Sequence, residues 1–402
     1  LIVENRMERT ASPTLYAYPW DLVAEAPQAV AARMAELGIG SITLAMSYHA
    51  GKFLRPWAAG ARVMFPEDGV LYFEPTAALY GQVKPVGHSD PAQRRLAMDL
   101  APHIPLRAWL VLLHNTRIGM QDADLVARNA WGDSYVYSLC PSHPANRAYA
   151  LAVCRDAASQ PVTELVLETP GWLPYAHGYH HEFAQVRSNL WLETLTGLCF
   201  CGACTARAQQ DGIDAQALAT WVRTRVDSYL DAGVDADADQ AASWLAADLL
   251  AVPELAAFLK MRQEVVTSLV REIRAAVDPR QKVWVIPTVQ RPTAASWVEG
   301  TDLAALAFAA DGIEVPFYEP TASRVASDAW DVLARVGDAS RVRAILRPGP
   351  PDLAGGAELA PALDSLARLG IDGVGFYNYG LLRRDRLEHM ARTLQSQQKG
   401  VS

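Results

Sequence analysis

Glu168 ends a short apolar run, Val162-Thr-Glu-Leu-Val-Leu-Glu168. An acid there is costly to keep unless it is used or paired. It can protonate a leaving oxygen or bind sugar hydroxyls; the structural alternative is an ion pair with Arg347 or Lys52. Glycosidic cleavage usually needs two carboxyl groups, one as proton donor and one as nucleophile or base. Glu168 is therefore the expected general acid/base, and a partner has to be found. The run Asp311-Gly-Ile-Glu314-Val-Pro-Phe-Tyr318-Glu319 offers two. Alternation would turn Ile313, Val315 and Phe317 towards helices and Glu314 into the interior. Glu319, at the end of the run, sits higher on the rim or caps the helix that follows. Glu314 is the preferred partner, Glu319 the second choice and Asp21 a more distant one.

A second group of residues suggests metal chemistry. Cys199-x-Cys201-x-x-Cys204 packs three thiols into six residues. A structural zinc takes four ligands. Upstream, Cys140-Pro-Ser-His-Pro-Ala-Asn-Arg147 places another cysteine just ahead of a helix, whereas Cys154 falls inside that helix and reads as core. A reduced, metal-free apolar cluster is the alternative. These motifs, across Leu139–Arg207, resemble the zinc-containing β-galactosidase-type glycoside hydrolases, which carry Cys-Pro-x-x-Pro-x-x-Arg ahead of strand four and C-x-C-x-x-C after its acid. The resemblance implies a (β/α)8 barrel, Cys140, Cys199, Cys201 and Cys204 as ligands of a structural zinc, and Glu168 as the acid/base. This chain departs from the pattern twice. Leu167 stands where the family has Asn before its acid, and strand seven ends in Leu-Arg347-Pro-Gly-Pro-Pro without the family's nucleophilic Glu.

The rest of the chain must position these groups. Short apolar runs alternate with amphipathic helices throughout, which predicts parallel strands with helical crossovers. Eight such strands are read: Leu15–Tyr18, Ser41–Met46, Leu106–Leu113, Val162–Leu167, Val283–Val289, Gly312–Phe317, Arg343–Leu346 and Gly373–Tyr377. Eight βα units with no spare strand make a TIM barrel, here one domain over 402 residues, with a mostly helical insertion over Glu182–Arg280 packed on it. The segment Arg62–Phe73 is expected to form a hairpin turning at Glu67-Asp68-Gly69.

Barrel sites lie at the carboxyl ends of the strands. The strand-end residues Tyr18, Trp20, Asp21, Tyr48, His49, Lys52, His114, Asn115, Trp172, Arg347, Tyr377 and Asn378 are therefore the expected substrate binders, with Gln290 on the same rim. Flat rings stack on the C–H faces of sugars while amides, hydroxyls and charged groups bond their hydroxyls. The expected partner is a small glycoside or short oligosaccharide. The net charge of −8 argues against nucleic acid, and no run of about 20 apolar residues predicts a membrane span. The helical insertion offers a surface for a homo-oligomer. Five cysteines without a disulfide-like spacing point to the cytoplasm, and Met7 reads as the natural start, with Leu1–Arg6 extra. The competing functions are a non-hydrolytic sugar-binding, isomerase or lyase barrel, or a metal-dependent hydrolase using His177, His180 and His181. Against the last, adjacent histidines point apart and no H-E-x-x-H is present.

Overall fold

A computed structural model describes residues 12–179, 184–353 and 356–399. Its centre is a closed barrel of eight parallel strands: β1 (Thr14–Ala17), β2 (Ser41–Tyr48), β3 (Leu106–Val111), β4 (Glu164–Glu168), β5 (Lys282–Val285), β6 (Gly312–Pro316), β7 (Val342–Leu346) and β8 (Val374–Phe376). Neighbours pair in chain order, and Thr14 pairs with both Ser41 of β2 and Gly375 of β8, which closes the ring. The (β/α)8 expectation is met strand by strand.

Alternation along each strand divides the core in two. On β3, Leu106, Ala108 and Leu110 face the helices, whereas Arg107, Trp109 and Val111 face the interior. The outer core is aliphatic. The upper interior is aromatic, built on Tyr16, Tyr18, Tyr48, Trp109 and Trp284. The lower interior carries charge. Arg107, buried, reaches Glu164 at 2.8 Å and also pairs with Glu314, and Arg343 reaches Glu164 at 2.6 Å.

Local chemistry starts and stops the helices where the sequence suggests. Pro27, Pro91, Pro144 and Pro253 each open one, where a missing N–H costs nothing. Asp90 and Asp214 cap the free N–H groups of Ala92 and Ala217, a contribution of about 1 kcal/mol each. Helix Ala322–Val336 buries Val325, Ala329, Val332 and Val336 at helical spacing and ends on Gly337 at φ 75°. After β4, helices Leu190–Thr196, Gly202–Gln210, Ala215–Ala232 and Ala238–Ala251 precede the long crossover helix Pro253–Ala276. No single helix among the described residues is long and apolar enough to cross a membrane; Ala238–Ala251 and Pro253–Ala276 meet that test only jointly, across a 99° bend.

The expected hairpin over Arg62–Phe73 does not form. Val63–Met64 pairs with Phe53–Leu54, while Val70–Leu71 pairs antiparallel with Ser47–Tyr48 at the end of β2. β2 runs two residues beyond its predicted end, and its exposed edge captures Val70–Leu71, whose side chains are buried. A strand pair absent from the expectation, Val126–Arg128 with Ser134–Leu139, follows β3 and ends directly before Cys140.

Candidate active site and metal centre

Glu168 is held from both sides. Its neighbour Leu167 is in register with Leu110 on β3 and Val285 on β5, and Leu112 N–H donates to the Glu168 carbonyl at 3.0 Å. Trp109, whose register partner is Val166 on the same interior face, donates its indole N–H to Glu168 Oε2 at 2.5 Å. Thr169 follows at φ 53°, a left-handed conformation unusual for threonine that turns the chain sharply away from the strand. Gly171 then passes so close to the Glu299 carbonyl that a Cβ would lie 2.2 Å from it.

The carboxyl of Glu168 opens into a cavity of about 400 Å3 at the carboxyl ends of the strands. Burial pushes its pKa up to about 7, only partly opposed by the Trp109 hydrogen bond. No cation lies within 4.0 Å of it among the described residues, so the ion pair with Arg347 or Lys52 does not form. Arg347 pairs with Asp352 instead. Burial also raises Asp21 to about 6 and Glu299 to about 7, but neither lines the cavity. Asp21 is paired with Arg55 at 2.8 Å, and Glu299 accepts from Thr288 Oγ1, Val289 N and Gln290 Nε2.

Of the other expected binders, Tyr48, His49, Lys52, His114, Arg347 and Tyr377 line the same cavity. The His49 and His114 rings stack at 3.8 Å, and the Tyr18 hydroxyl bonds those of Tyr48 at 2.9 Å and Tyr377 at 2.6 Å from behind. The remaining expected residues do not reach it. Trp20 stacks on Tyr18 in the core, Asn115 caps helix Thr116–Gln121, Trp172 is buried against Arg262, and Asn378 accepts from Gly380 N. Glu314 lies below the cavity, paired with Arg107 and accepting the Tyr16 hydroxyl at 2.7 Å. Glu319 is buried against Arg324 at 2.6 Å, and Thr321 itself caps the following helix. Glu168 is thus the carboxylate on the cavity wall among the described residues. His180 and His181 lie outside the described residues.

Sequence reasoning missed Tyr16, Trp109, Tyr318 and Arg291, all of which line the cavity. Tyr16 and Trp109 lie within strands rather than at their ends, two residues before Tyr18 and Val111; strand alternation carried their signal. Arg291 and Tyr318 come from loops after β5 and β6, where no periodicity fixes a side chain's direction.

The four cysteines converge. Sγ of Cys140 lies 3.4 Å from Cys204, 3.5 Å from Cys201 and 3.9 Å from Cys199. All four are buried and their sulfurs lie within 4.8 Å of one another, a group that can hold a metal ion. A tetrahedron with metal–sulfur bonds of about 2.3 Å has edges of about 3.8 Å, close to these separations. Beside it, Arg262 is 1% exposed, lies 4.6 Å over the Trp172 ring and leaves Nε and Nη2 without a hydrogen-bond partner. A buried cation with spare donors, felt electrostatically by Cys199, Cys204 and Cys140, suits a set that becomes anionic on binding a metal. The cluster ties the segment ahead of helix Pro144–Ala158 to the excursion after β4. Cys154 is buried on that helix, apart from the cluster.

The fold has known counterparts. The β-galactosidase of the psychrophilic Marinomonas ef1 is similar with a TM-score of 0.56 at 9% identity, over 96% of this chain and 60% of that one. A class V chitinase from Pseudomonas fluorescens Pf-5 gives a TM-score of 0.46 at 12% identity, over 96% of this chain and 99% of that one. An N-acetylglucosaminidase from Paenibacillus barengoltzii gives 0.45 at 11% identity, over 95% of this chain and 100% of that one. The chain therefore spans 60% of the length of the β-galactosidase. No family model and no curated protein matches the sequence. At these identities the likeness is one of fold, the (β/α)8 barrel.

Proposed function

We propose that the protein is a glycoside hydrolase in which Glu168 is the general acid/base. The observation that carries this is a strand-end carboxyl raised to about 7 by burial, with no paired cation among the described residues, on the wall of a cavity walled by aromatic rings. A carboxyl protonated near neutral pH can give its proton to the departing glycosidic oxygen, and the carboxylate left behind can take one from the water that adds to the sugar. The rings of Tyr48, Trp109 and Tyr377 offer the flat surfaces that a sugar's C–H faces stack on, and the structurally similar Marinomonas barrel is a β-galactosidase.

For the second group, Glu314 is favoured over Glu319. Tyr16 lines the cavity and donates its hydroxyl hydrogen bond to Glu314, so Glu314 orients a ring of the cavity wall. Glu314 would then be a positioning residue acting through Tyr16. The four cysteines would hold zinc; four thiolates leave no open position, so its contribution would be structural. Five free thiols suit a reducing compartment such as the cytoplasm. A homo-oligomer formed through the helical insertion is part of the same proposal.

One observation favours a second reading, a non-hydrolytic or purely sugar-binding barrel. Glu168 stands on the cavity wall without another carboxylate among the described residues. Release of sugar from a panel of aryl glycosides and short oligosaccharides separates the two. Turnover that disappears in a folded Glu168→Gln variant supports the hydrolase. Turnover that survives the substitution removes Glu168 from the chemistry, and no release from any substrate favours the binding barrel.

A further inference from the structure

The cavity's charges are unbalanced. Among the described residues, three cationic side chains, Lys52, Arg291 and Arg347, line it against the one carboxyl of Glu168, which is itself partly neutral near pH 7. Arg347 is answered by the buried Asp352. Arg291 has no direct partner of that kind: the carboxylates of Asp328, Asp352 and Glu299 act on it only from beyond ion-pair distance. Its Nη1 donates to the carbonyls of Val289 at 3.1 Å and Gln290 at 2.7 Å, while Nε and Nη2 bond nothing among the described residues. No carboxylate among them lies within the 4.0 Å of an ion pair, and burial pushes its pKa down, so its charge is held against a cost.

Arg291 and Arg347 also share a neighbour. Their guanidinium carbons lie 4.9 Å and 4.5 Å from the centre of the Tyr318 ring. The ring's π face attracts each cation, but like charges held around one phenol repel each other. An anion set against Arg291 would offset that repulsion and meet its open donors. A guanidinium fork matches the two oxygens of a carboxylate.

We propose that this cavity recognises an acidic sugar, a glycoside whose ring carries a carboxylate seated by Arg291 and Arg347 beside Tyr318, an inference that rests on the glycosidase reading. Arg291 and Arg347 would choose the substrate, and Glu168 would act on its glycosidic bond. A sugar phosphate shares the anionic chemistry, and the experiment separates it from a carboxylate.

The test is calorimetric titration of the full chain with D-glucuronate, D-galacturonate, D-glucose, D-galactose and glucose 6-phosphate, beside hydrolysis of 4-nitrophenyl glucuronide and glucoside. At least one uronate is expected to bind ten-fold or more tightly than its neutral counterpart. Arg291→Met should collapse that ratio towards one, and Arg291→Lys should restore part of it. If both variants fail to fold, the wild-type ratio decides alone. A neutral sugar bound as tightly as its uronate, or no uronate binding at all, overturns the proposal. Tighter binding of the phosphate overturns the assignment to a carboxylate. A Glu168-dependent cleavage of neutral glycosides with no uronate preference would end this inference and leave the hydrolase standing. An Arg291-dependent uronate preference with no cleavage of any glycoside would do the reverse.

Discussion

The barrel buries charge at two levels and treats it in opposite ways. In the lower interior, Arg107, Arg343, Glu164 and Glu314 answer one another. Burial works against the charged form of Glu164, but Arg343 and Arg107 outweigh it and hold its carboxyl below the usual range. Burial likewise opposes the charge of Arg107, yet Glu314, Tyr16 and Glu164 hold its pKa above the usual value. At the mouth, Glu168 and Arg291 are taken from water without an ion pair among the described residues, and burial moves each towards its neutral form. The desolvation cost is of the same kind at both levels. Where it is offset by pairing, the group fixes structure; where it is left standing, the group is available to a ligand.

Four experiments can break or sharpen this contrast. The largest effect is expected from Glu168→Gln, which removes the proton donor and should lower kcat/KM on a cleaved glycoside by about 10²- to 10⁴-fold. Its melting temperature should stay level or rise at neutral pH, since no ion pair is lost. A clear drop in stability would mean that Glu168 is structural like its counterparts below.

Glu314→Gln should act first on stability. It leaves Arg107 half-compensated in the interior and should cost about 3–5 kcal/mol in denaturant unfolding. An unfolding free energy within about 0.5 kcal/mol of the wild type, the range of ordinary surface changes, would dissolve the distinction between the two levels.

Metal removal comes third. Chelation, or Cys204→Ser, should release one zinc per chain by elemental analysis and lower Tm by roughly 10 °C, since metal binding is linked to folding. Turnover per folded molecule should hold. Loss of turnover from a protein that keeps its Tm would make the metal catalytic.

The smallest effect is in the pH dependence. Glu168 donates while protonated, so log kcat/KM should be flat below about pH 7 and fall above it, with the fall centred on the raised carboxyl. The stability sign follows from the same shift. A carboxyl whose folded pKa lies above its ordinary value of about 4.3 contributes stability that is complete below that value and is lost as pH rises through the folded pKa. For Glu168, and for Glu299 with the same shift, the window closes near pH 7. Thermal melts from pH 5 to 8 should slope downward in the wild type and less steeply in Glu168→Gln. Equal slopes would contradict the buried, unpaired carboxyl.

Much of the fold was legible because periodicity is local. Each barrel strand is a short apolar run between amphipathic helices, and prolines such as Pro91 and Pro144 mark helix starts to the residue. Glu168 stood out as an acid closing an apolar strand, and three of the four cysteines by their spacing. Less of the cavity was legible. Strand ends were sought, so Tyr48, His49 and Tyr377 were found while Tyr16 and Trp109, within strands, were missed. Arg291 was hidden because a loop residue's direction follows from neighbours distant in sequence, here Tyr318. Asp21 looked like a site acid until Arg55, 34 residues on, occupied it. The expected hairpin failed for a related reason: an edge supplied by Ser47–Tyr48 competed with the local partner.

By itself, then, the sequence determined the eight βα units, the acid at the end of β4 and three of the four thiols, since each is written in spacing along one stretch of chain; Cys140, 59 residues ahead of Cys199, was reached only through the resemblance to a known motif. Only the tertiary structure decided which charges are answered. Glu164 and Glu314 meet Arg107 from strands far apart in the chain, Arg347 turns to Asp352, and Glu168 and Arg291 are left facing the cavity. The physical reason is that pairing and desolvation depend on distances of a few ångströms between remote residues, which only the closed barrel sets.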